Sequence, residues 1–447
     1  MNAKLASSLT ALVASAGFAM AQAPSASPYR VVDHSQPSSI TQTAATETPD
    51  SPSPGNRPTL SLASIAANDN GVASTSSTPN ALPNGAFDTG HHEPVKRLWT
   101  NAEYLLWWTK SQNIPPLVAT APGQFANTTI PAGQFTNIFG GTHLDYQAYS
   151  GARFSAGYLV DEEGSLGIDG NYFFTETKSK RFIGGSTGNP LLGPTFFDLG
   201  NGQETIVKDA DPGRFMGVVS VAAPSRFWGT EINLSTCVQP VFSDHLRLFA
   251  GFRYFELSEA ITRIDTATGV GDLTGNLITG LDHFGTRNQF FGGQVGFATH
   301  SHIGQNWTLD VIGKFAMGGV RQLVNIDGAS TFVQPGLPIQ IGNGNLLALG
   351  TNSGHFRQAK FAVMPELTVN AGYQISSRWN AFIGYNLLYI DKVVRPGSQI
   401  DFGVNTTQIT FLEGSTGVLK GVPRPAPLLH NDSFWAQGMN FGLQFCY

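Results

Sequence analysis

The chain has 447 residues, a formal net charge of −5 and only 13% charged residues, about half the ~25% of ordinary soluble domains. With a pI near 6.0 and mean hydropathy of −0.07, it is no general nucleic-acid binder, which would be basic. Beyond the N-terminus, no apolar run reaches the roughly 18 residues of a membrane-spanning helix. Few charges, 31 phenylalanines and 51 glycines suit a transmembrane β-barrel, whose apolar residues are diluted by alternation.

Residues 1–21 read as a secretory signal: Lys4, an apolar core from Leu5 to Phe18, then Ala19-Met20-Ala21 as a small-residue cleavage site. Residues 22–95 are rich in Pro, Ser, Thr and Ala, with only isolated apolar positions. They cannot bury enough surface to offset ordering entropy, so a disordered segment is expected, placed in the periplasm. The remainder, 96–447, is expected to be one barrel.

From Leu98 onward, period-two alternation marks strand after strand, because successive side chains point to opposite faces. Leu98–Thr109 puts Leu98, Ala102, Tyr104, Leu106 and Trp108 opposite Asn101 and Glu103. A hairpin of 150–161 and 165–176 turns at Glu162-Glu163-Gly164, with Phe154, Tyr158, Ile168 and Phe174 sharing one face. Further strands are expected at 226–239, 245–257, 286–299, 306–318, 357–374, 378–391 and 434–447. The expectation is an all-β fold, a single antiparallel up-and-down transmembrane barrel of ten strands. Twelve is the alternative if a hairpin hides in 214–223 or 320–345.

The spacing between strands carries the argument. Short connections near 162, 242, 302 and 376 alternate with long ones at 110–149, 177–225, 258–285, 320–356 and 392–433. Short periplasmic turns and long outer loops predict this rhythm. All seven tryptophans fall near strand ends: Trp99, Trp307 and Trp379 on the short-turn side, Trp107, Trp108, Trp228 and Trp435 on the long-loop side. Interfacial girdles hold amphipathic rings at such levels. The last strand ends in Phe445-Cys446-Tyr447. It must pair with the first, since an open edge cannot face lipid. Its aromatic end resembles the signal read by the outer-membrane assembly machinery, an expected partner beside the lipid itself.

Alternation assigns Glu103, Arg153, Asp169, Glu231, Arg247, Arg253, Asp310, Lys314 and Glu366 to the lumen face. Arg253 is expected opposite Asn233 and diagonal to Glu231. These charges read as a selectivity lining or as a plug of mutually satisfied pairs. Barrels of about eight strands are filled by side chains, and wide channels arise near sixteen. Ten strands therefore predict a narrow or closed lumen. Cys237 and Cys446 face inward on the fourth and tenth strands, too far apart for a disulfide.

Asp244-His245 and Asp282-His283 suggest acid–base chemistry only superficially. No nucleophile motif accompanies them, and adjacent strand residues point apart. His300-Ser301-His302 lacks a third metal ligand. Asp209-Ala210-Asp211-Pro212-Gly213 lacks calcium-loop spacing and reads as an outer-loop turn. No catalytic residue, metal or cofactor is expected.

Four stretches carry a family resemblance. They are Ala102-Glu103-Tyr104-Leu105-Leu106-Trp107-Trp108 with Ile114-Pro115-Pro116-Leu117-Val118; Gly151-Ala152-Arg153-Phe154 with Gly157-Tyr158; Gly384-Tyr385-Asn386-Leu387-Leu388-Tyr389 with Val393-Val394-Arg395-Pro396-Gly397 and Ile400-Asp401; and the C-terminal strand. In these the chain resembles the BBP-type β-barrel porin family of bacterial outer membranes. The resemblance implies an outer-membrane barrel. The function expected is porin-like: a narrow passive pore or a structural barrel with long extracellular loops. The alternative is surface recognition or adhesion through those loops, whose length exceeds what hairpin closure needs. An outer-membrane enzyme comes third.

Overall fold

A computed structural model describes residues 97–126, 130, 133–161, 165–238, 245–412 and 415–447. The expected signal sequence, the 22–95 segment and the turns at 162–164 and around 242 lie outside the described residues.

The alternating stretches form ten long strands: β1 Leu98–Thr109, β2 Tyr149–Leu159, β3 Leu166–Thr175, β4 Phe215–Val238, β5 His245–Gly269, β6 Leu277–Ile303, β7 Trp307–Val333, β8 Gly354–Gln374, β9 Trp379–Val393 and β10 Asp432–Cys446. Each pairs antiparallel with the next in sequence. β10 then pairs with β1, from Trp99↔Cys446 to Thr109↔Ala436. The ring is closed, so its strands satisfy one another's N–H and C=O groups without a free edge. Among the described residues no helix is long and apolar enough to cross a membrane.

The faces separate as the period demands. Outward stand Tyr104, Phe154, Ile232, Phe252, Val295, Phe315, Leu367, Ile383 and Leu443, all exposed. Asn101, Glu103, Asn233, Arg253, Asn370 and Asn440 point inward and are buried. The count of twelve strands does not hold. Residues 214–223 and 320–345 add no strand to the ring; 215–223 and 320–333 prolong β4 and β7. Two extra strands, Lys178–Ser186 and Gln340–Gly342, lie against the outer parts of β4 and β7 without entering the ring.

Three of the expected outer loops are thus largely strand. β4 to β7 are 24 to 27 residues long and β8 is 21, whereas the other five strands have 10 to 15. The stretch expected as a loop at 258–285 leaves only 270–276 between β5 and β6. Alternation continues past Leu257, but its outward members become Ser258, Ala260, Thr262, Ile264, Thr266 and Thr268, small or polar except for Ile264. Only the apolar dressing of the outer face stops there, because the wall has left the apolar zone. One side of the barrel therefore rises as a tall wall. The segments 110–148, 176–214, 334–353 and 394–431 supply the rest of the outer end.

Five tryptophans stand on the outward face near strand ends, the levels at which the expected girdle would lie. Trp307 and Trp379 are 54% and 46% exposed at the short-turn end, and Trp108, Trp228 and Trp435 stand on the outward face at the other. Trp99 and Trp107 do not belong to it. They share the odd-numbered, inward face of β1 with Glu103 and are 2% and 0% exposed. Trp99 packs with Leu159 and Cys446. Gly157 makes room for its ring, since a Cβ there would lie 2.4 Å from the indole.

Candidate functional site

The lumen is filled in tiers. Midway along it, six of the nine inward charges form one alternating chain. Glu103 Oε2 lies 3.7 Å from Arg153 Nη1, and Arg153 Nη2 lies 3.6 Å from Glu366 Oε1. Glu366 also pairs with Arg253. Arg253 Nη1 is 3.9 Å from Glu231 Oε2, and Glu231 pairs with Lys314. The expected register was off by one pair of residues. Arg253 stands directly opposite Glu231, because the hairpin aligns Val238 with Leu246.

The chain runs across the lumen, not only along its wall. Arg153 on β2 and Arg253 on β5 both reach Glu366 on β8, and Lys314 on β7 reaches Glu231 on β4. Inward amides satisfy the remaining lone pairs. Asn386 Nδ2 donates to Glu366 Oε1 at 2.8 Å, and Asn171 Nδ2 to Glu231 Oε1 at 2.7 Å. Asn440 Nδ2 on the closing strand donates to both Glu103 Oε2 at 2.9 Å and Asn370 Oδ1 at 3.0 Å. Such extra bonds are what make a buried ion pair tolerable.

The other three charges stand apart from this chain. Asp169 accepts from Asn233 Nδ2 at 3.0 Å. Arg247 Nη1 donates to Ser235 Oγ at 3.2 Å. Asp310 Oδ1 meets His300 Nδ1 at 2.6 Å. Cys237 and Cys446 are not in a disulfide.

Above the charges lies an aromatic tier. Trp107 stacks on Phe227 with centroids 6.1 Å apart, and Tyr149, Phe173, Phe255 and Phe434 pack around them. The Arg153 guanidinium sits 5.4 Å from the Trp107 ring centre and joins the two tiers by a cation–π contact.

Above that, the connecting segments enter the mouth and are clamped to the tall wall. Arg395 is fully buried and makes a fork with Glu259, Nη2 to Oε1 at 2.7 Å and Nε to Oε2 at 2.9 Å. Its Nη1 donates to the carbonyls of Lys110 and Ser111 at 2.8 and 3.1 Å. Asn288 exchanges two hydrogen bonds with the Val394 backbone, at 2.8 and 2.7 Å. A Cβ on Gly397 would lie 2.1 Å from the Asn113 carbonyl, so only glycine lets the two segments approach. Asp282 takes the N–H groups of Leu346, Leu347 and Ala348 at 3.3, 3.1 and 2.7 Å, and Arg263 Nη2 at 2.6 Å. His283 points the other way, to Thr262 at 2.8 Å. Asp282 and His283 therefore do not form an acid–base pair.

Sequence reasoning missed Glu259, Arg263, Asp282 and Arg395 as interior residues, because it placed them in loops. The signal that would have found them is the unbroken inward period Glu259, Ile261, Arg263, Asp265.

At the outer end a cavity of about 710 Å³ opens between connecting segments and the inner side of the wall. Lys208, Asp209, Asp211, Arg214, Arg263 and Asp265 line it, with Phe196, Leu346 and Phe411. Burial, with the charge of Asp265 adding to it, holds the Asp209 carboxyl well above the usual carboxylate range. Among the described residues no group of three or more His, Cys, Asp or Glu is placed to hold a metal ion.

Two solved structures are distantly similar to this chain. The outer membrane protease OmpT from Escherichia coli is 8% identical, covering 78% of this chain and 97% of that one, with a TM-score of 0.37. A Pseudomonas aeruginosa FadL homologue is 8% identical, covering 83% and 94%, with a TM-score of 0.22. No curated protein matches the sequence. The family described as "Putative beta barrel porin-7 (BBP7)" matches residues 99–447, from the first strand to the last residue. A closed ten-stranded ring, apolar on its outer face and carrying its chain of charges inside, together with that match over its whole length, makes this chain a member of the BBP7 family of porin-like outer-membrane β-barrels.

Proposed function

We propose that the protein is a structural barrel of the outer membrane whose lumen is closed to all but the smallest solutes, with an outer end built for contact with the surroundings. The observation that carries this is the chain of cross-lumen ion pairs from Glu103 to Lys314. Glu103, Arg153, Glu231, Arg253 and Glu366 are each less than a tenth exposed. A solute passing them would have to part pairs whose members would then be buried and uncompensated, a cost of about 3–5 kcal/mol each. The aromatic tier and the clamped segments add two further layers above. The reading is non-enzymatic. It places the N-terminal segment in the periplasm and assigns the C-terminal strand to the assembly machinery.

Planar-bilayer recording of the purified full-length protein tests the closed lumen. Steps should be absent or small; large stable steps would refute it. A second reading, recognition of a ligand or cell surface by the outer segments, is favoured by the 710 Å³ cavity, which falls in the usual size range of small-molecule sites. Deleting 176–214 should then abolish attachment while leaving permeability unchanged.

A further inference from the structure

The strand register places a set of exposed arginines at one level on the outer face. Three successive rows cross the tall wall there. The first is Tyr254, Phe291, Gly319 and Phe361, with Tyr254 and Phe291 rings 4.9 Å apart. The second, two residues further out, is Trp228, Glu256, Gln289, Arg321 and Ala359. The third is Arg226, Ser258, Arg287, Leu323 and Arg357.

All four arginines are exposed. Glu256 is the sole carboxylate in these rows. It is buried and already taken by Arg287 at 2.8 Å, Tyr254 at 2.6 Å and Gln289 at 3.1 Å. Arg287 keeps half its side chain exposed, at 51%, and a guanidinium has donors to spare. No described carboxylate lies within ion-pair distance of Arg226, Arg321 or Arg357.

Their height is set by the apolar face below. On β7 the outward apolar positions run from Trp307 to Met317. Ten residue steps at ~3.3 Å, tilted by ~40°, span about 25 Å, the height of an outer-membrane apolar band. Arg321 comes four residues beyond Met317, and Arg287 four beyond Phe291. The arginines therefore stand where headgroups begin, on the side of the long connections. Strand spacing puts Arg287, Arg321 and Arg357 about 8–10 Å apart.

We infer that this belt binds the phosphate groups of a phosphorylated glycolipid in the outer leaflet, with the aromatic row below it packing against the acyl chains. Guanidinium groups pair bidentately with phosphate. Several of them without internal partners suit a headgroup that bears more than one phosphate. The inference rests on the membrane-spanning barrel, but not on whether its lumen conducts.

The test is native mass spectrometry of the full-length protein in nonionic detergent, titrated with diphosphorylated lipid A or with phosphatidylglycerol. The natural protein should bind lipid A at least tenfold more tightly. The triple variant R226Q/R321Q/R357Q should lose at least tenfold of that affinity. None of the three pairs with an internal carboxylate, so the fold is spared, and unchanged heat-modifiable migration on gels verifies it. The corresponding Arg→Lys triple, which keeps charge but not the fork, should recover only part of the affinity and serves instead if the Gln variant misfolds. Equal affinity for both lipids, or a triple variant that binds lipid A as the natural protein does, would overturn the inference. Large conductance steps would overturn the closed lumen alone.

Discussion

Arg395 and Glu259 are separated by 136 positions in sequence, yet each is the other's main partner and neither touches water. Removing one side of such a pair leaves a charge with nothing to balance it, whereas replacing both sides removes the problem. Glu259→Gln is expected to destabilise the barrel by about 3–5 kcal/mol. The double variant Glu259→Leu/Arg395→Met should recover much of that loss. Unfolding in guanidinium, followed by tryptophan fluorescence, would compare them. The Val393-Val394-Arg395-Pro396-Gly397 stretch stands out in the sequence, but its partner does not. Nothing local to Glu259 reveals that a chain segment 136 residues later bends back into the mouth. Trp99 and Trp107 carry a similar lesson. Position near a strand end suggested an interfacial role, and side-chain parity decided against it. Parity was the stronger physical rule, because one residue of offset reverses the face.

Every barrel strand was readable from alternation, because a wall between lipid and a polar interior imposes opposite chemistry on neighbouring side chains. Strand ends were not, because the sequence marks where the membrane stops, not where hydrogen bonding stops. β5 makes the point: on its outward face the chemical boundary falls between Tyr254 and Ser258, while pairing with β6 continues to Thr268↔Leu277. The prolonged strands also provide anchor points. Asp282 lies on such a prolongation and gathers three consecutive backbone N–H groups of the 334–353 segment. Asp282→Ala should free that segment. Hydrogen–deuterium exchange should then show the Leu346, Leu347 and Ala348 amides exchanging at least tenfold faster, with β1 and β2 unaffected. Unchanged protection there would mean that apolar packing of Leu346 and Leu347 holds the segment alone.

For the molecule as a whole, strand number, closure and the sorting of charges to the interior followed from periodicity and connection lengths. Which charge meets which did not. Arg153, Arg253 and Lys314 all bridge to strands that are not their neighbours, and such pairings depend on lumen width, which no local pattern encodes. The cysteines illustrate the part that width does control. Cys237 on β4 and Cys446 on β10 lie on strands well separated around the ring. Digestion under non-reducing conditions should yield peptides of unbridged mass, and a mass lower by two hydrogens for the linked pair would contradict the ring.

Asn440 gives the interior a schedule. β10 follows the other nine ring strands in the chain, and its Asn440 binds Glu103, near the start of the barrel, as well as Asn370 on β8. Until that strand arrives, the Glu103 carboxylate faces an unfinished sheet and lacks this donor. Sealing the wall and completing the polar interior are therefore one event. A chain cut short before β10 forfeits both at once.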